Sequence, residues 1–271
     1  VKLDHIVVAS DLTPAAEHCY PHAAYLASSA GHALITLLHV QPDAANPPGA
    51  VPVEDIPYAI TSDANTLRLE GADRVETAIK IGDATTEVNR FVESASVDLV
   101  IVAKHSGPIA RALKLGSTAK RIMRTSSVPV LVVHKTDGPP QPPAHFVLGV
   151  DHTERSDRLI DEVMSLAQAL AGKVTLVTVA EPGADPKELV DALEAKRAAY
   201  PDQETDARVV PSKNIEAALR QTAVEVEASM IAVAASGKGL LDRLLVGSTS
   251  DELADEAAIP VLVMPDEQDE E

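Results

Sequence analysis

Tryptophan is absent from this chain, cysteine occurs once, and aromatic residues make up only 2% of it. So few aromatics exclude a surface that grips nucleic-acid bases by stacking. A single thiol, Cys19, cannot close an internal disulfide, and it reads as a small apolar residue near the first helix. A chain without disulfides suits a reducing compartment, and the expected location is the cytoplasm. No apolar run approaches the ~20 residues needed to span a bilayer. No signal-peptide pattern precedes the first strand. Basic residues are also short: 23 Lys and Arg face 41 Asp and Glu, a formal net charge of −18. An acidic chain repels nucleic acid and anionic membrane, so neither is an expected partner. Metal-ligand spacing is lacking too. His18 and His22 stand four apart on the first helix, but no Cys or acid completes a tetrahedral set. Neither a Gly-x-Ser-x-Gly elbow nor a Walker loop occurs, so no catalytic residue is assigned.

What the chain does have is written twice. An apolar run leads into an acid at Ile6–Asp11 and again at Phe146–Asp151. A second apolar run closes on Val40 and on Val179. Gly116-Ser117-Thr118 is matched by Gly247-Ser248-Thr249, and the proline-opened runs Val128–Val133 and Ile259–Met264 come last. Asp11 to Val40 spans 29 positions and Asp151 to Val179 spans 28, while both glycine-to-proline intervals are 13. A repeat this long is a whole domain. The 271 residues therefore divide into domains at 1–136 and 144–266, joined by the extended linker Gly138–Pro143.

Apolar residues form 45% of the chain, nearly all aliphatic, which suits parallel strands covered by helices on both faces. Each half reads as alternating strands and helices with a closing strand. The first half offers strands at Ile6–Ala9, Leu34–Val40, Val75–Ile81, Leu99–Ala103 and Val130–Val133. Its helices are expected at Ala15–Ala30, Thr85–Ser96 and Ser117–Thr125, with Asp83 as a cap. Pro42–Pro57 reads as an irregular excursion. In the second half, helices are expected at Leu159–Leu170, Pro186–Ala199, Ile215–Ala228 and around Asp251–Ala257, with a strand at Met230–Ala234. The alternation predicts an α/β fold with one parallel sheet per half and right-handed crossovers.

Open parallel sheets bind ligands at the carboxyl ends of their strands. The residues there are Asp11, Val40, Ala103, Lys104 and Ser106 in the first half, and Asp151, Val179, Ala234 and Gly237 in the second. Gly116, Ser117 and Thr118, like Gly247, Ser248 and Thr249, head a helix, where free N–H groups and the dipole favour phosphate. Taken alone, Ser and Thr at a helix head are caps.

Together these residues resemble the universal stress protein family. Its signature is Gly, two residues, Gly, nine residues, then Gly followed by Ser or Thr. The halves read Ala103-Lys104-His105-Ser106, nine residues, Gly116-Ser117, and Ala234-Ala235-Ser236-Gly237, nine residues, Gly247-Ser248. The spacing is kept, but the first glycine is alanine in both. The resemblance implies two tandem five-stranded parallel α/β sandwiches of the Rossmann-like adenine-nucleotide-binding type. It implies ATP, or ADP or AMP, with or without Mg²⁺. The adenosine end would meet Asp11 and Val40, or Asp151 and Val179. The glycine loop and Gly-Ser-Thr would hold the phosphates. It also implies that the closing strands at Val130 and Val261 pair with each other across the two domains. An even number of domains leads to the expectation of a homo-oligomer, a dimer through closing strands, beside an unidentified protein partner.

The surviving Gly237 favours the second half as the binding site, whereas charge favours the first. Between Leu99 and Thr136 there is no acid, and seven Lys and Arg give +7, so the rest of the chain holds −25. Three functions compete: a nucleotide-binding stress-response protein acting through association or partner control, a tandem scaffold whose glycine motif has degenerated, and a slow ATPase using Asp11 or Asp151.

Overall fold

The apolar runs form parallel strands, and the helices between them carry the sheet's cover. The structure, a computed structural model, describes residues 3–43, 50–104, 117–133, 144–151, 154–180, 183, 185–234 and 259–265. Two units divide the chain, one spanning Lys2–Pro139 and the other Pro140–Met264.

The first unit runs β1 His5–Ser10, α1 Cys19–Ser29, β2 Leu34–Gln41, α2 Ile56–Leu69, β3 Val75–Ile81, α3 Ala84–Ala95, β4 Leu99–Ala103, α4 Ser117–Thr125 and β5 Val130–Val133. Its strands lie in the order β3-β2-β1-β4-β5, every pair parallel. The second unit runs β6 His145–Gly149, α5 Glu154–Ala169, β7 Lys173–Ala180, α6 Pro186–Ala198, β8 Thr205–Pro211, α7 Ile215–Glu225, β9 Met230–Ala234 and β10 Val261–Met264. Its order is β8-β7-β6-β9-β10, again parallel. Winding proceeds outward from β1 to β3 and then jumps back to β4. Right-handed crossovers then put α1 and α2 on one face and α3 and α4 on the other. Helix contacts agree, α1 packing on α2 and α3 on α4. The two directions part between β1 and β4, and between β6 and β9 in the second unit.

The core is aliphatic, as the composition requires. Ile6, Val7, Val8, Val100 and Ile101 are fully buried in the middle of the first sheet, and Val147, Leu148 and Ala232 in the second. Both units fasten the amino ends of their central strands in the same way. His5 Nδ1–H donates to the Ala95 carbonyl at 3.0 Å, and Nε2 meets the Thr36 hydroxyl at 2.8 Å. His145 Nε2 meets Thr175 Oγ1 at 2.9 Å, and its ring bonds the Val226 backbone. A polar side chain ahead of the next central strand then receives the histidine's own N–H: Asp98 takes it from His5 at 2.8 Å, and Ser229 from His145 at 3.1 Å.

Several elements differ from expectation, α5 beginning at Glu154 and not at Leu159, and β8 standing where no strand is expected. Pro42–Pro57 is not irregular to its end, because α2 begins at Ile56 with Pro57 in its first turn. Proline is tolerated there, since its missing N–H is one the helix cannot use. Ile56, Ile60, Ala64 and Leu67 form its buried stripe. The expected helix from Ala15 is a 3₁₀ turn, Ala16–His18, running into α1. The Asp251–Ala257 expectation lies outside the described residues.

His22 sits on the buried face of α1 at 1% exposure, and burial lowers its pKa from 6.5 to about 4. It is therefore neutral in the fold, whereas the unfolded chain takes up a proton near 6.5. Stability contributed by this group falls as pH drops from 6.5 towards 4, by up to ~3 kcal/mol at the bottom of the window. Urea denaturation across that range will show wild type losing stability faster than His22→Leu, which has no proton to bind. Parallel curves would contradict this.

Candidate functional site

The chain leaves β1 through a turn that is tightly specified. Leu12 takes a left-handed φ of +59°, which costs a non-glycine residue about 1 kcal/mol. Three side-chain bonds hold it. Ser10 Oγ accepts from Leu12 N at 2.9 Å, and Asp11 Oδ1 accepts from both Thr13 N at 3.1 Å and Thr13 Oγ1 at 2.7 Å. A fourth comes from the neighbouring strand, where buried His39 donates from Nδ1 to the Ser10 carbonyl at 3.0 Å. That bond fixes the ring's tautomer, since a carbonyl can only accept.

This turn stands where the winding reverses. Beside it, Val40 and Ala103 are half-buried at the ends of β2 and β4. Lys104 N donates to the Val133 carbonyl at 2.8 Å, which carries the pairing one residue past the strand. Ser117 and Thr118 head α4 and are exposed. Asp11 uses only Oδ1 in its turn, and no hydrogen bond among the described residues uses Oδ2. Its charge reaches the groups around it. Burial first, and then Asp11, pushes the Cys19 thiol far up, so Cys19 is an inert core residue. Tyr20 donates to Asp63 Oδ2 at 2.5 Å, tying α1 to α2. Burial, and secondarily Asp11, raises the Asp63 pKa against the opposing effect of that bond.

In the second unit Asp151 is exposed, and its N–H donates to Ser156 Oγ at 3.2 Å. Thr178 Oγ1 donates to the Val150 carbonyl at 3.2 Å. It thus does for β6 what His39 does for β1. Val179 follows it, half-buried.

The universal stress protein family model matches residues 2–134 and 144–265. The chain belongs to this family, as a tandem of two domains. Universal stress protein Rv2005c of Mycobacterium tuberculosis is 27% identical over 233 residues, covering 78% of this chain and 77% of that protein. A solved universal stress protein from Archaeoglobus fulgidus superposes with a TM-score of 0.75 at 17% identity, over 99% of this chain and 98% of that one. Protein PA1789 of Pseudomonas aeruginosa gives a TM-score of 0.60 at 17% identity, over 97% of this chain and 92% of its own. These likenesses show the Rossmann-like fold of the family.

Within this universal stress protein, Asp11, Val40, Ala103, Lys104, Ser117 and Thr118 all belong to the carboxyl side of one sheet. Asp151, Val179 and Ala234 do so in the second. Ser106, Gly116, Gly237, Gly247, Ser248 and Thr249 lie outside the described residues. Sequence reasoning passed over Ser10, Thr13 and His39. The signal was present: a polar residue precedes the closing valine of the second strand in both halves, His39 and Thr178.

The middle of α4 is tied to Asp83, which caps α3. Asp83 Oδ1 accepts from Thr86 N at 3.0 Å and Thr86 Oγ1 at 2.9 Å, and Arg121 of α4 pairs with it at 3.1 Å. The Thr86 bonds, then Arg121, hold its pKa below the usual carboxylate value. A lowered carboxylate pKa stabilises above the unfolded value and loses that effect as pH falls through the folded one. Asp83→Ala is expected to cost about 1 kcal/mol at neutral pH, with the difference from wild type fading in acid below the ordinary carboxylate range. Thermal melts of both proteins along a pH series measure it, and a pH-independent difference would refute the assignment.

Proposed function

We propose that the chain is a stress-response protein that binds an adenine nucleotide at the carboxyl side of its first sheet and works through nucleotide-dependent association or partner control. Asp11 Oδ2, which no hydrogen bond among the described residues uses, carries this reading. It is an acceptor at the point where winding reverses, on a side chain whose other oxygen is held by Thr13. A ribose hydroxyl is the natural donor for it, with the half-buried Val40 beside the base. Lys104, Ser117, Thr118 and the acid-free stretch Leu99–Thr136 suit the phosphates. Mg²⁺ would accompany the phosphates if ATP is the ligand. The cytoplasm and a dimer through the closing strands complete the reading.

A second reading, an interaction scaffold without nucleotide, is favoured by one observation: alanine replaces the first motif glycine at both Ala103 and Ala234. Slow ATP hydrolysis, with Asp11 or Asp151 orienting the water, is the weakest reading.

Calorimetric titration with ATP, ADP and AMP, with and without Mg²⁺, separates these. The nucleotide reading expects a dissociation constant on the order of micromolar. Asp11→Ala should weaken it about tenfold or more, the worth of a charge-assisted hydrogen bond. No heat up to millimolar nucleotide would leave the scaffold.

A further inference from the structure

The two units treat their outermost strands differently. In a parallel pair, alternate residues turn both N–H and C=O towards the neighbour, and the rest turn both away. On β3 the inward set is even: Ile35 N donates to the Arg74 carbonyl, and Gly82 N to the Gln41 carbonyl. Val75, Thr77, Ile79 and Ile81 therefore present their backbone groups at the open edge. On β8 the inward set is again even, through Glu204 and Ser212. Its outward row is Thr205, Ala207, Val209 and Pro211. That row is blunted twice, because Asp206 Oδ1 takes the Ala207 N–H at 2.9 Å and Pro211 has no N–H.

β3 has no such protection of its donors. Arg68 Nη2 covers the Val75 carbonyl at 2.9 Å, but among the described residues nothing takes the N–H of Thr77, Ile79 or Ile81. Ile79 is 42% exposed and Ile81 64%, unusual for isoleucine. The sequence of the strand is also complementary to itself. Antiparallel pairing centred on Ala78 sets Thr77 opposite Ile79 as a hydrogen-bonded pair and Val75 opposite Ile81. It sets Glu76 opposite Lys80 twice, and the small Ala78 opposite its own copy. Centring one place earlier would oppose Arg74 to Lys80. Centring one place later would take Glu76 away from Lys80 altogether. Glu76 and Lys80 share the α3 face, where Lys80 Nζ stands 5.9 Å from the Phe91 ring centroid.

We propose that β3 is a self-association edge, at which a second copy of this chain adds its own β3 antiparallel across a two-fold axis at Ala78. A seven-residue strand pair covers less than the ~1,200–2,000 Å² of a stable dimer interface, so the association is weak and reversible. It does not depend on nucleotide binding or on any contact through the closing strands.

Sedimentation velocity over a concentration series tests it, at an ionic strength that screens repulsion between two acidic copies. Wild type shows a reversible association step. Glu76→Lys and Lys80→Glu each weaken that step about tenfold or more, since each sets like charges opposite one another twice. The double exchange restores it, which a merely structural role for either residue would not do. Thr77→Pro abolishes the step with an unchanged circular dichroism spectrum and urea midpoint, because the lost N–H faces outward. Wild type without an association step, a step indifferent to these changes, or a double exchange that fails to recover would overturn the proposal.

Discussion

A backbone carbonyl at the end of the first strand sets the geometry of each unit. Where winding reverses, the chain turns away from the sheet, and a buried carbonyl there must still be paired. Ser10 finds His39 and Val150 finds Thr178. The donors differ in size and chemistry but come from corresponding positions on the next strand. The constraint belongs to the fold, and the two halves meet it with different residues. With that bond in place the left-handed Leu12 is affordable, and Asp11 is held at the crevice.

At the opposite end of the sheets the solution was kept unchanged. His5 with Thr36 and His145 with Thr175 make the same bond on corresponding strands. The polar pairs at that end close the core. Helix ties fall between these extremes. Tyr20 of α1 reaches Asp63 of α2, whereas Asp161 of α5 is reached by Tyr200 beyond α6. Each unit joins its first two helices with one tyrosine and one carboxylate, but with the partners exchanged. In a chain with so few aromatics, both tyrosines hold helix to helix.

The outer strands show how identical topology leaves room for different surfaces. β3 and β8 occupy equivalent places, and the same parity turns their backbone groups outward. A proline and an aspartate close one edge, and an isoleucine-rich row leaves the other accessible. Duplication preserved the sheet while the edges diverged, since edge residues answer to solvent and partners and not to the core.

Much of this was legible in the chain itself. Leu99–Ala103, Val130–Val133 and Met230–Ala234 were readable to the residue, because buried parallel strands are continuous aliphatic runs, and Val75–Ile81 was readable from the break at Gly82. The repeat, the acid after the first strand and the family signature were readable too, being local patterns with counted spacing. α2 was hidden by Pro57, which reads as a breaker unless it is known to stand in a helix's first turn. β8 was hidden by Asp206 and Arg208, whose charges are tolerable only at an edge. Sequence by itself determined most of the strands, the duplication and the carboxyl-side location of Asp11, because these follow from hydrophobic period and order. Tertiary structure alone decided which oxygen of Asp11 is spent, which ring nitrogen of His39 carries its proton and which edge is open. Each of those depends on a partner distant in the chain, and only the folded sheet brings that partner within hydrogen-bonding reach.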